Sequence, residues 1–181
     1  MSAEHVSELK KWVAELVRQG GGGEESVRLN RVADLVSRNF NVQPHEVAVM
    51  VITPDDRFLR FVLPPMLREV GQIPLTSTNA LAARTVRERR PEVINHFASV
   101  PHSSVFEAVP IAEEQRSEAI QKIMSAPVVH DRKVWGVIQV SRKGRSAAEA
   151  GPDFTHGQLR ELKAIGDILS PLLSPTPVEA K

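Results

Sequence analysis

The residues whose types could carry chemistry lie in the middle of the chain. His96 and His102 stand six positions apart, and a pair of imidazoles can begin a zinc or haem-iron site. No Asp or Glu at a matching spacing joins them, so both read as partly exposed loop histidines, with no metal and no cofactor. His130 and His156 fall at a turn and at a helix start and read as solvated. Ser103 and Ser104 place hydroxyls beside the His102 base, but neighbours in sequence rarely reach nucleophile–base geometry, and neither a partner carboxylate nor an oxyanion hole is marked. A Gly-x-Ser-x-Gly elbow, a His-Glu-x-x-His pair and a phosphate loop are all missing from the sequence. The expectation is that the protein is not an enzyme. Arg84, Arg87, Arg89 and Arg90 offer guanidinium groups suited to phosphate or carboxylate. Most of this cluster also falls where cations complement a helix C-terminus. Arg84, a turn earlier, is the one left to meet a ligand. Thr76, Ser77 and Asn79 can donate hydrogen bonds, or cap the helix they precede.

Composition sets the limits around these groups. The chain has 181 residues, 41% of them apolar and 25% charged, the profile of one globular domain that needs no metal or disulfide for its core. Lys and Arg number 23 against 22 Asp and Glu, without the basic excess of a nucleic-acid binder. There are no cysteines, which removes disulfides, thiolate metal sites, Cys nucleophiles and thioether-linked cofactors. No apolar run reaches about 18 residues and the first residues lack a leader pattern, so a cytoplasmic protein without a membrane segment is expected.

The elements that must position the candidates follow from periodicity. Val6, Leu9, Val13 and Leu16 form one helical stripe within residues 1–19. That stripe suits either a two-stranded coil, and hence a homodimer, or a helix lying on its own domain. Gly20–Gly23 cannot sit in a stable helix and reads as a joint. A second helix runs from about Glu24 to Phe40. The strand signal over Glu46–Ile52, apolar at every residue from Val47 onward, needs cover on both faces, as in a central strand, and pairs through the Thr53-Pro54-Asp55-Asp56 turn with a strand over Arg57–Leu63. A short extended piece, Gln72–Leu75, precedes a helix over about Asn79–Arg89, and Glu92–Phe97 reads as a strand. An irregular stretch follows to about Val109, then a charged, helical segment with Glu113, Glu114 and Arg116. Ile120–Val129 and Val134–Ser141 form a late hairpin in which Gly136 marks a bulge or a close backbone approach. Thr155 and Gln158 make a capping box for a last helix, with Leu159, Leu162, Ile165, Leu169 and Leu172 on one stripe and Pro171 expected to kink or end it. Residues 174–181 read as a flexible tail. Helices separated by antiparallel hairpins indicate an α+β fold.

Four of these stretches together resemble GAF domains, small sensory modules of signalling proteins. Ile73-Pro74-Leu75-Thr76 with the Asn79–Arg90 helix is similar to the family's short strand and the helix by its pocket. Pro91–Asn95 resembles the strand after it. Met124–Val128 with Lys133–Val140 resembles its characteristic hairpin, and Phe154-Thr155 with Leu159 and Leu162 its closing helix. The resemblance covers residues 24–173. It implies a central antiparallel sheet with the N- and C-terminal helices on one face and a ligand pocket on the other. There Thr76, Asn79, Arg84, Asn95, His96, His102 and Ser104 are expected to converge on a small polar or anionic ligand. Without cysteine the chain departs from the bilin-attaching and sulfoxide-reducing members, and the cyclic-nucleotide signature is not placed. The implied function is a small-molecule-binding regulatory module, cytoplasmic and homodimeric, acting in trans on a downstream partner. The alternatives are a dimerisation or scaffolding element with a vestigial pocket and, behind it, an unrecognised enzyme.

Overall fold

A computed structural model of the chain describes residues 3–18, 25–101 and 118–173. Its centre is one antiparallel sheet, built from β1 (Val47–Ile52), β2 (Phe58–Leu63), β3 (Gln72–Pro74), β4 (Glu92–Ile94), β5 (Ile120–His130) and β6 (Lys133–Lys143), in the spatial order β3-β2-β1-β6-β5-β4. Three helices, α1 (Ala3–Arg18), α2 (Glu25–Phe40) and α4 (His156–Leu173), share one apolar core with one sheet face, and α3 (Leu81–Glu88) lies on the other. This is the expected α+β architecture.

The period-2 geometry of a strand explains the two faces. In β1, Val47, Val49 and Val51 join the helix-side core, while Ala48, Met50 and Ile52 belong to the opposite cluster. A strand apolar on both faces has to be central, and β1 is flanked by β2 and β6. Its hairpin to β2 is closed by Asp56 N–H donating to Thr53 O at 2.9 Å and Thr53 N–H donating to Phe58 O at 2.8 Å. The β5–β6 hairpin turns on Asp131 and Arg132 (φ 48° and 63°), the paired positive angles of a type I′ turn whose twist matches the strands. Gly136 is a close approach: a Cβ there would sit 2.1 Å from the Met50 carbonyl oxygen.

The N-terminal stripe resolves in favour of the chain's own domain. Leu9 and Val13 are buried in the helix-side core, and α1 packs on α4 and α2. The apolar face of α1 is thus covered by the chain's own domain.

Several boundaries differ from expectation. The helix expected from Asn79 starts at Leu81, with Ala80 at its N-cap in extended conformation and no side-chain cap bond. Arg87 explains the delay, because its guanidinium holds the preceding turn through the carbonyls of Leu75 and Ser77 at 2.6 and 2.7 Å. β4 stops at Ile94, not Phe97, because Asn95 leaves the sheet to bond the Phe154 backbone. Pro171 does not end α4, which runs on to Leu173. Proline cannot donate to the carbonyl four residues back, and the Ser170 hydroxyl donates to that Asp167 oxygen instead, at 2.8 Å. The capping box is present as read: Thr155 N–H donates to Gln158 Oε1 at 3.0 Å and Gln158 N–H to Thr155 Oγ1 at 3.1 Å. The Gly20–Gly23 joint, the Glu113–Arg116 segment and the tail after Leu173 lie outside the described residues.

Two buried cations tie the helix layer to the sheet. Arg142 donates to the Phe40 and Asn41 carbonyls at 3.0 and 3.1 Å and lies 4.6 Å from the Phe154 ring centroid. It thus closes the C-terminus of α2, where orphan carbonyls need donors. Lys122 donates to Gly151 O at 2.5 Å and pairs with Asp153 at 2.7 Å.

Candidate functional site

Strand β6 decides where a ligand can sit. Ile138 and Val140 point into the helix-side core, so Val137, Gln139, Ser141 and Lys143 fall on the other face. There a cavity of about 320 Å³ opens between the sheet, α3 and the chain linking β2 to β3. That volume is within the usual range for small-molecule sites. Ala48, Phe61, Leu67, Ile73, Ala82 and Ile123 supply apolar lining. One edge is polar, from His45, Glu46, Gln139, Ser141 and Lys143, and Ser77 and Asn79 face in from the segment before α3.

The polar edge is rigidly held. A 3-10 turn, Pro44–Glu46, leads into β1. The Glu46 carboxylate accepts from Gln43 N–H at 2.8 Å and from Lys143 N–H at 2.7 Å. Ser141 Oγ donates to the Glu46 carbonyl at 3.3 Å. These bonds carry the β1–β6 pairing past the last paired residues and fix His45 at the cavity. Burial lowers the His45 pKa below its ordinary 6.5 and Lys143 adds to that, while Glu46 and Glu118 pull the other way. The imidazole is therefore neutral at pH 7, with one nitrogen donating and one accepting.

Behind this edge runs a buried relay of side chains. Gln139 Nε2 donates to Ser125 Oγ at 3.0 Å, Ser125 Oγ and Thr85 Oγ1 are 2.7 Å apart, and Thr85 Oγ1 donates to the Leu81 carbonyl at 2.9 Å. Three elements, β6, β5 and α3, are joined by it, and each end belongs to a residue that lines the cavity.

Of the seven residues expected to converge, Asn79 lines the cavity. Thr76 is exposed and next in the chain to Ser77, which lines it. Arg84 is turned to β4, where Glu92 takes its guanidinium in two bonds of 2.8 and 3.2 Å, so the group expected to meet an anion is already neutralised. Asn95 uses both ends of its amide on the Phe154 backbone at 2.9 Å, linking β4 to the start of α4. His96 is exposed and outside the cavity lining. His102 and Ser104 lie outside the described residues. Among the described residues no group of three His, Asp or Glu is placed to hold a metal.

Sequence reasoning missed His45, Glu46, Gln139, Ser141 and Lys143. The alternation of Gln139, Ser141 and Lys143 with Ile138 and Val140 was a legible signal, since a polar series at period 2 opposite apolar residues marks one face of a strand. His45 and Glu46 had no such signal, because a β1–β6 pairing across nearly 100 residues brings them to Lys143.

Comparison with known proteins agrees with this architecture. The family model for the GAF domain matches residues 24–171. No curated protein sequence matches the chain. Among solved structures, the GAF domain of an Acinetobacter phosphoenolpyruvate-protein phosphotransferase superposes with a TM-score of 0.64 at 15% identity, covering 96% of this chain and 94% of that one. The GAF domain of A. aeolicus nlh2 in an inactive state gives 0.58 at 16%, covering 93% and 92%. A free methionine-R-sulfoxide reductase from Neisseria meningitidis, in complex with its substrate, gives 0.60 at 13%, covering 94% and 90%. At such identities the structural likeness speaks for the fold alone. The family match spans most of the chain, and on it the chain belongs to the GAF domain family.

Proposed function

We propose that this protein is a regulatory GAF module that binds a small molecule in the cavity between α3 and the sheet. The family consists largely of signalling and ligand-binding modules. The observation that carries the reading is the cavity itself: about 320 Å³ of mostly apolar lining with five polar side chains gathered on one edge. Signal output is proposed to act in trans through the helix layer. β6 is the connecting element, because Gln139 and Ser141 line the cavity while Val140 and Arg142 on the same strand hold the helix-side core and the end of α2. Among the described residues no helix is long and apolar enough to cross a membrane. Thiol-based reduction of methionine sulfoxide is excluded by the absence of cysteine.

The test is a thermal-shift screen of a small-metabolite library on wild type and Ala48→Phe, whose ring would occupy the cavity. Stabilisation by a ligand at 100 times its Kd amounts to about 2.7 kcal/mol. Compounds that raise the melting temperature of wild type and not of the variant support the reading. Equal responses in both proteins would place binding elsewhere.

A further inference from the structure

The buried relay fixes what the cavity can recognise. Thr85 gives its proton to the Leu81 carbonyl, so at the 2.7 Å contact Ser125 donates and Thr85 accepts. With its single proton committed, Ser125 Oγ can only accept from Gln139, and the Gln139 NH₂ group is the end turned towards it. Among the described residues the Gln139 carbonyl oxygen is then the free end of an amide that lines the cavity. Ser141 behaves the same way: its proton goes to the Glu46 carbonyl, leaving lone pairs on an oxygen two residues along β6. Two acceptors about 7 Å apart thus stand on one strand face, beside the Glu46 carboxylate. Among the described residues, the charges at this edge are the carboxylates of Glu46 and Glu118 and the Lys143 ammonium, with His45 beside them. Arg84, the cation expected to favour an anion, is engaged by Glu92.

We propose that the cavity selects a compact ligand with an apolar body and N–H donors, neutral or cationic, and that Gln139, oriented by Ser125 and Thr85, is the residue that reads the donor. The inference rests on the binding reading above and narrows it: of the small polar or anionic ligand expected, it keeps a polar hydrogen-bond donor and drops the anion. Gln139 would contact the ligand directly, whereas Ser125 acts through Gln139 as a positioning residue. Reversing the relay would present an NH₂ group to the cavity and favour acceptors, so the direction of three hydrogen bonds sets the class of ligand.

Benzamidinium and benzoate make a matched pair of probes, nearly equal in size and shape, one presenting N–H donors and the other carboxylate acceptors. Each is titrated to millimolar concentration into ¹⁵N-labelled protein while the Gln139 side-chain NH₂ signal and the amides of Ala48, Phe61 and Ala82 are followed. Benzamidinium is expected to shift these signals and to bind at least tenfold more tightly than benzoate. Gln139→Leu should weaken benzamidinium about ten- to a hundredfold, the scale of one lost hydrogen bond to a charged group. Ser125→Ala, which frees the amide to turn over, should narrow the gap between the two probes at least threefold. A purely structural role for Ser125 would leave that ratio unchanged and would overturn its part in the proposal. Equal or tighter binding of benzoate at the same residues would overturn donor selection while leaving the cavity a binding site. Silence of both probes at every cavity residue would remove the proposal and the binding reading together.

Discussion

Replacing Gly136 by Ala tests the centre of the sheet with a single methyl group. The added Cβ would lie 2.1 Å from the Met50 carbonyl oxygen and 3.2 Å from the Val51 Cα, both backbone atoms of the neighbouring strand. Real Cβ contacts do not fall below 3.0 Å, so β1 and β6 must separate by close to an ångström at a point where Val51 and Gly136 are in register. No side chain can rotate away to relieve the clash. Overpacking a core costs about 1–3 kcal/mol, and a clash with central backbone belongs at or above the upper end. At about 2–4 °C per kcal/mol for a domain of this size, Gly136→Ala should lower the melting temperature by about 6–12 °C. Gly157→Ala is the control, because its Cβ meets nothing closer than Thr155 Oγ1 at 3.5 Å. In the first turn of α4 it should gain up to ~1 kcal/mol in helix propensity. Differential scanning calorimetry of the two variants therefore predicts shifts of opposite sign. A Gly136→Ala melt within about 2 °C of wild type would refute the β1–β6 packing, and with it the wall of the cavity.

Other perturbations follow from the same contacts. Arg142→Met should cost about 2–4 kcal/mol in urea unfolding, because two carbonyls at the end of α2 lose a charged donor, and hydrogen exchange should rise first in the last turn of that helix. Leu9→Ala should cost about 2–5 kcal/mol, as for any leucine cut from a packed core; a variant as stable as wild type would return the α1 stripe to service as a dimer seam. His45 gives a pH dependence whose sign is fixed. Its folded pKa lies below 6.5, so the unfolded chain binds the proton more readily, and the stability this group contributes is full above pH 6.5 and is lost as pH falls through the folded pKa. Between pH 7 and 5 the His45→Gln variant should therefore lose less stability than wild type; equal losses would contradict the burial of that imidazole.

What the sequence made legible was what local pattern controls. The β5–β6 hairpin, the Thr53–Asp56 turn, the Thr155–Gln158 capping box and the Gly136 approach each depend on residues close in the chain or on one residue's missing side chain. What stayed hidden depends on partners far along it. Arg84 looked like a free guanidinium until β4 set Glu92 beside it, and Asn95 looked like a pocket residue until its two bonds to Phe154, 59 positions away, were in place. The α1 stripe was correctly amphipathic, but a stripe does not say whether it meets a second copy or its own domain. The cavity's polar edge shows the same division. Period-2 polarity in β6 was readable, whereas the meeting of Lys143 with Glu46 comes from strand pairing across the fold.

Native mass spectrometry asks whether the cavity between α3 and the sheet is a working ligand site. Wild type and Ala48→Phe, each incubated with the same small-molecule extract and desalted together, are compared for non-covalent adducts. At least one adduct is expected on wild type, near one equivalent, that is missing from Ala48→Phe while both proteins keep the same charge-state distribution. Identical adducts on the two proteins, or none on wild type, would contradict it.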